Sequence, residues 1–314
     1  MSEVSLVTGG AGFIGSHLVE SLLADGHEVR VLDDLSTGMA ANFTHLLKQP
    51  ELVTGSVVDA AAVNKAMIGV KTVYHLAAMA SVAKSLEAPI DCHAICATGT
   101  LNVLEAARHH GVRRVVYAAS SSAYGPASNP AGQNEETPLR PLSPYAAAKL
   151  AGEHYLEAFA QSYGLETVRL RFFNIFGPRQ RADSPYSGVI AIFTAMLTAG
   201  HVPSVHGDGL QVRDFTYVLN AVQALRKAAT VPGVSGRVYN VGTGCGVTVL
   251  DLVMALNQIL GTSITPTHSP ARIGDVRFSL ARIDRIRADL GYEPEVSFEE
   301  GLRRTIKWYQ GTGG

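Results

Sequence analysis

The chain has 314 residues, 46% of them hydrophobic, with 31 glycines and a formal net charge of −1, which fits an α/β enzyme able to bury roughly three quarters of its unfolded surface. A charge so near zero gives no electrostatic case for nucleic acid or an anionic membrane as a partner, and no apolar run is long enough to span a bilayer or to serve as a leader before the first strand. Cys92, Cys96 and Cys245 are too few for a disulfide framework and have no further soft ligands nearby, so no metal is expected and the cytoplasm is the expected compartment.

The first predicted strand is Ser5-Leu6-Val7-Thr8, a short apolar run of the kind buried in parallel sheets. It leads into Gly9-Gly10-Ala11-Gly12-Phe13-Ile14-Gly15, and residues 17–23 follow with helical periodicity. Gly10, Gly12 and Gly15 satisfy the dinucleotide fingerprint, and Gly9, Gly12 and Gly15 satisfy a variant spaced by threes. Glycine is required because the turn is tight, the backbone approaches a pyrophosphate and the helix packs close to its strand. The helix N-terminus then offers unpaired N–H groups and partial positive charge to the phosphates. A second strand over residues 28–32 ends at Asp33. That carboxylate would accept hydrogen bonds from the adenosine ribose hydroxyls and repel a 2′-phosphate, so the predicted cofactor is NAD rather than NADP.

Further strands are predicted over residues 72–76, 114–118 and 167–171, with an amphipathic helix over 100–110 closed by Gly111. Ser120-Ser121-Ser122 and Asn174 stand just past strand ends, where such folds place their ligands. Ser143 is a good N-cap, Pro144 suits the first helical position, and helix formers continue to Gly164. On that helix Tyr145 and Lys149 lie one turn apart on one face. The ammonium is expected to lower the phenol's pKa, making Tyr145 a general base or acid near neutral pH. Beyond residue 174, turns such as Gly207-Asp208-Gly209 separate shorter elements. The predicted fold is therefore α/β, a doubly wound parallel (Rossmann) sheet with a smaller C-terminal α/β substrate domain. Residues 1–173 form the NAD-binding domain, completed by about 215–243, and residues 174–314 the substrate-binding domain.

Taken together, these stretches resemble the extended short-chain dehydrogenase/reductase family, and within it the UDP-sugar 4-epimerases. The resemblance spans nearly the whole chain, through residues 8–17, 33–38, 75–78, 99–107, 120–125, 143–149 and 171–180, then Gly207-Asp208-Gly209, Arg213-Asp214-Phe215, residues 240–244 and Arg272-Ile273-Gly274-Asp275. It implies that Tyr145 takes the proton of the sugar 4-hydroxyl while hydride passes to NAD, that Lys149 holds the nicotinamide ribose, and that Ser120 shares the hydroxyl's hydrogen bond. It implies a cofactor site of Gly9, Gly12, Phe13, Ile14, Gly15, Asp33, Asp34, Leu35, Ser36, Thr37, Gly38, Ser56, Val57, Leu76, Ala77, Ala78 and Phe173, with Tyr145 and Lys149. For the UDP-sugar it implies Ser120, Ser122, Tyr145, Asn174, Val189, Arg213, Arg272, Asp275 and Ser279. Lys84 is either near the sugar or a solvated loop charge. Without the motif, Arg213 and Arg272 would read as surface ion-pair partners of Asp214 and Asp275. It implies a homodimer contact through the helices over 100–110 and 144–163, whose alanine-rich face could instead pack wholly on its own sheet.

The chain departs from that pattern at three places. Ser56 stands where an aspartate commonly meets adenine, an asparagine usual before Gly-Thr-Leu is replaced around Ile95-Cys96, and Leu219-Asn220 replaces an acidic pair. Related dehydratases and decarboxylases place acidic residues just after the catalytic Ser/Thr, where this chain has Ser121 and Ser122. An epimerase is the expected activity, and a non-catalytic NAD-binding regulator is the alternative of a different class. The resemblance places Ser279 beside the sugar's 2-substituent, where a small residue is expected to leave room for an N-acetyl group.

Overall fold

In the computed structural model, which describes residues 3–126, 129–182, 188–271 and 276–312, the apolar runs assemble into one seven-stranded sheet. Its strands are β1 (Val4–Thr8), β2 (Glu28–Asp33), β3 (Glu51–Thr54), β4 (Val70–His75), β5 (Arg114–Ser120), β6 (Glu166–Phe172) and β7 (Arg237–Val241). They lie in the order β3-β2-β1-β4-β5-β6-β7, every pair parallel. The order reverses between β1 and β4, the position at which such sheets open a crevice at their carboxyl ends. Strands buried on both faces need no polar alternation, and β1 and β5 accordingly read as continuous apolar runs.

Each face of the sheet has its own core. On one, Leu18, Val19 and Leu22 of helix Phe13–Ala24 meet Ala221, Ala224 and Leu225 of helix Val218–Thr230 across Val7, Val116 and Leu170. On the other, Val63, Val103 and Leu156 from helices Ala60–Met67, Gly99–His109 and Pro144–Tyr163 cover Leu6, Leu32 and Val73. A third cluster, around Phe176, Phe193, Phe215 and Leu252, fills the C-terminal part, where the strands are short. There Val212–Arg213 pairs with Val247–Thr248 and with Phe278–Ser279. Among the described residues no helix is long and apolar enough to cross a membrane.

Helix Pro144–Tyr163 starts and stops on local signals. The Ser143 hydroxyl accepts from the Ala146 N–H at 3.1 Å, Pro144 takes the first turn, and Gly164 closes the helix at φ 70°. Its inward face is pinned by a buried ion pair. Glu153 accepts from Arg171 on β6 at 2.7 Å, and Arg171 also donates to the Tyr124 hydroxyl at 3.0 Å, which donates to Asn240 on β7 at 2.6 Å. With both charged side chains at most 4% exposed, removing either partner would cost about 3–5 kcal/mol. The helix is thereby locked to β6 and β7 beneath Ser120 and Tyr145.

Candidate active site

The glycine loop is shaped by backbone contact. A Cβ on Gly9, which lies at φ 68°, would stand 2.7 Å from the Ala77 nitrogen; one on Gly15 would stand 2.2 Å from the Gly9 carbonyl oxygen. Neither obstacle is a side chain that could swing away. Gly12 caps the following helix without a side-chain acceptor, leaving the first-turn N–H groups to an external anion. Phe13 and Ile14, in that turn, pack partly against the third core cluster.

Asp33, at the end of β2, is buried. Its two oxygens accept from the Ala11 N–H at 2.9 Å and the Leu35 N–H at 2.8 Å, tying the glycine loop to the loop after β2. Burial raises its pKa, and those two N–H groups oppose the rise. Each oxygen keeps a further lone pair for a ligand hydroxyl. Leu35 turns at φ 59°, Asp34 accepts from Ser36, and Asp34, Ser36 and Thr37 are exposed. A Cβ on Gly38 would touch Asp33 Oδ1 at 2.9 Å. A glycine cradle with an acid at the neighbouring strand end suits a dinucleotide.

Across the β1–β4 switch, a buried hydrogen-bond chain holds the opposite wall. Thr100 Oγ1 donates to the Cys96 carbonyl at 2.6 Å, so it accepts from His75 Nε2–H at 2.9 Å. His75 Nδ1 then accepts from Thr8 Oγ1 at 2.7 Å, and Thr8 accepts from the Ala77 N–H at 3.3 Å. Burial pushes the His75 pKa down to about 3, which keeps the ring neutral and this direction intact. Leu76, Ala77 and Ala78 are half-buried beside it. Ser56 is half-buried. Val57 is spent inside the protein, its side chain against Gly99 and its carbonyl accepting from Asn102 at 3.0 Å.

Ser120, Ser122, Tyr145 and Lys149 come together at the carboxyl edge of β5. The Ser120 and Ser122 hydroxyls are 2.8 Å apart, and Ser120 is within hydrogen-bonding reach of the Tyr145 phenol. The expected lowering of the Tyr145 pKa is not what the protein by itself produces. Packing around the phenol pushes it up to about 12, and Ser120 is the group that opposes the rise. Lys149 is itself buried, and its ammonium lies over the Tyr117 ring, 4.1 Å from the centroid. Burial brings Lys149 down to about 8, against the pull of Cys96 and Glu153. Spacing on the helix put both side chains on one face, but Tyr117, invisible to that argument, captured the charge. Cys92 and Cys96 are buried behind this helix with Ala148, and among the described residues no cluster of ligands could hold a metal ion.

On the C-terminal side, Asn174, Arg213 and Ser279 converge. Asn174, at φ 36°, donates to the Asp214 carbonyl at 3.2 Å and to Ser279 Oγ at 3.3 Å, and Ser279 is the register partner of Arg213. The ion pair of Arg213 with Asp214, weighed from sequence, does not form. Arg213 donates to the Val212 and Val276 carbonyls, and Asp214 is buried among backbone N–H groups. Val189 opens helix Val189–Thr198 against the third cluster, and Lys84 is exposed on helix Val82–Glu87. Phe173, expected at the cofactor, is 0% exposed and packs against Tyr124 with ring centroids 6.0 Å apart. Arg272 and Asp275 lie outside the described residues. Sequence reasoning missed Tyr117 and His75, whose aromatic and polar character gave no sign of what they would face.

A model of the NAD dependent epimerase/dehydratase family matches residues 5–242. The chain is 39% identical over 311 residues to UDP-glucose 4-epimerase of Mycolicibacterium smegmatis, covering 98% of both. It is 31% identical to UDP-N-acetyl-alpha-D-glucosaminuronate decarboxylase of Bacillus cytotoxicus, covering 99% of this chain and 98% of that one. The crystal structure of Thermus thermophilus UDP-glucose 4-epimerase in complex with NAD superposes with a TM-score of 0.89 at 39% identity, covering 98% of this chain and 99% of that one.

Proposed function

Because the chain belongs to the NAD dependent epimerase/dehydratase family and NAD is its cofactor, we propose that it is a 4-epimerase of UDP-sugars, acting on UDP-glucose and UDP-galactose and on their N-acetylated counterparts through a 4-keto sugar. The observation that carries this reading is the convergence of Ser120, Ser122 and Tyr145 at the sheet edge, with no carboxyl in the two positions after Ser120.

The Gly9 to Gly15 loop, Asp33 and Lys149 would hold NAD, which supplies an acceptor for the sugar's hydride and a donor for its return. Tyr145 takes the proton of the 4-hydroxyl at its phenol oxygen and gives it back after the sugar has turned. Ser120 shares that proton and ties it to Ser122. A phenol pushed up to about 12 stays protonated in the protein alone, so the base forms only as positive charge enters. Lys149, held down to about 8, is the resident source of a replacement proton. Arg213 would grip the diphosphate, for which guanidinium is suited. The dehydratase alternative needs an acid to expel the 6-hydroxyl, and a serine at 121 or 122 is too weak an acid for that step.

The test is incubation with UDP-galactose and no added nicotinamide cofactor, followed by chromatography of the sugars. UDP-glucose should appear, and Tyr145→Phe should slow it by about 10³-fold while UDP still binds. A 4-keto-6-deoxy sugar, or carbon dioxide released from a UDP-uronic acid in the absence of epimerisation, would overturn the reading.

A further inference from the structure

The residue after Arg213 has no role in the chemistry above, yet it holds together the segments that would meet the substrate. Asp214 is 0% exposed, and its carboxylate accepts only from N–H and hydroxyl groups among the described residues. Oδ1 accepts from the Thr243 N–H at 2.8 Å, the Thr243 hydroxyl at 2.7 Å and the Thr216 hydroxyl at 3.4 Å. Oδ2 accepts from the Gly244 N–H at 3.0 Å and the Ala281 N–H at 3.2 Å. The backbone at Gly242 passes directly against this carboxylate, where an added Cβ would stand 2.6 Å from Oδ2.

Those donors belong to three different segments. Thr243 and Gly244 follow β7, at the edge of the large sheet. Ala281 follows Phe278–Ser279, and Thr216 belongs to the strand beyond Arg213. The Asp214 backbone completes the knot, donating to the Ser279 carbonyl at 2.7 Å and accepting from the Asn174 amide at 3.2 Å. Burying an anion with no cation beside it is costly and is offset only by charge-assisted donors on both oxygens.

Resting on the UDP-sugar reading for what the site binds, we propose that Asp214 is the positioning residue of the substrate half, setting Arg213, Ser279 and Asn174 in the arrangement that receives the nucleotide diphosphate and its sugar. A carboxylate is required because both of its oxygens face donors. The amide introduced by Asp214→Asn offers one acceptor oxygen. Whichever way that amide turned, its NH2 group would meet N–H groups and release either the 243 side or the 281 side.

The experiment compares purified wild type, Asp214→Asn and Thr243→Ala by calorimetric titration with UDP, by steady-state kinetics and by NAD retained per chain. Asp214→Asn should weaken UDP about tenfold and raise KM in proportion, with kcat within about threefold of wild type and retained NAD unchanged. Thr243→Ala, which keeps the charge and loses one hydroxyl, should shift UDP binding the same way by about two- to fivefold. Wild-type UDP affinity in Asp214→Asn overturns the proposal. So does a parallel loss of NAD and UDP, or failure of both variants to fold, either of which makes Asp214 a residue of the general fold. A wild-type protein that does not bind UDP removes the UDP-sugar reading itself, an outcome distinct from the others.

Discussion

The two halves of the site are built from different materials. The proposed cofactor half, at the ends of β1, β2 and β4, is backbone pressed on backbone: Gly9 against Ala77 and Gly15 against the Gly9 carbonyl. The proposed substrate half is side chain on side chain: Asn174 donates to Ser279, the register partner of Arg213, beside the buried Asp214 carboxylate. A backbone cradle tolerates no added atom and has no means of adjusting to one. A side-chain cluster can change its selectivity through a single residue while its frame stays in place.

The largest break in that contrast should come from Gly15→Ala. The new methyl would lie 2.2 Å from a carbonyl oxygen that cannot leave. NAD retained after purification should fall and turnover should drop by about 10²-fold, the scale of misplacing reacting groups by an ångström. Retention of NAD at the wild-type level would show that the loop yields more easily than its geometry says. Ser279→Tyr sharpens the other half: it should cost about tenfold on UDP-N-acetylglucosamine and little on UDP-glucose, as filling a pocket does. Equal losses on the two substrates would remove Ser279 from the sugar's surroundings.

The smallest effect concerns helix Pro144–Tyr163, which carries Tyr145 and Lys149. In the protein alone Lys149 is held down to about 8, below its ordinary value of 10.5. Between those values the unfolded chain holds a proton that the folded chain has released, so the burial penalty is fully present below about pH 8 and shrinks as pH rises. Relative to Lys149→Met, the wild type should gain about 0.8 kcal/mol of stability between roughly pH 7 and pH 8.5. Denaturant midpoints of the two proteins across that range measure it, and parallel curves would mean that Lys149 is not desolvated.

Helix Pro144–Tyr163 was legible from one residue before it to one residue after, because Ser143, Pro144 and Gly164 act through bonds within a turn of themselves. The Gly9 to Gly15 loop and Asp33 were legible for the same reason, since the strand, turn, helix and second strand are contiguous. Asp214 was not. As a residue next to an arginine it suggested an ion pair, and nothing nearby in the chain shows that its partners are residues 243, 244 and 281. Nor does anything near Phe173 in the chain show that its ring packs on Tyr124.

The amino-acid sequence alone determined the parallel α/β alternation, the glycine cradle with its acid, and the pairing of Tyr145 with Lys149 on one helical face. Each rests on interactions that span a turn or one βαβ unit, where spacing sets distance. The tertiary structure decided where the Lys149 charge rests, which carboxylate is buried among backbone N–H donors, and how Arg213 and Ser279, far apart along the chain, became neighbours. Those outcomes depend on strand order and on what else is packed into the same volume, and desolvation and hydrogen-bond satisfaction are properties of that volume rather than of spacing along the chain.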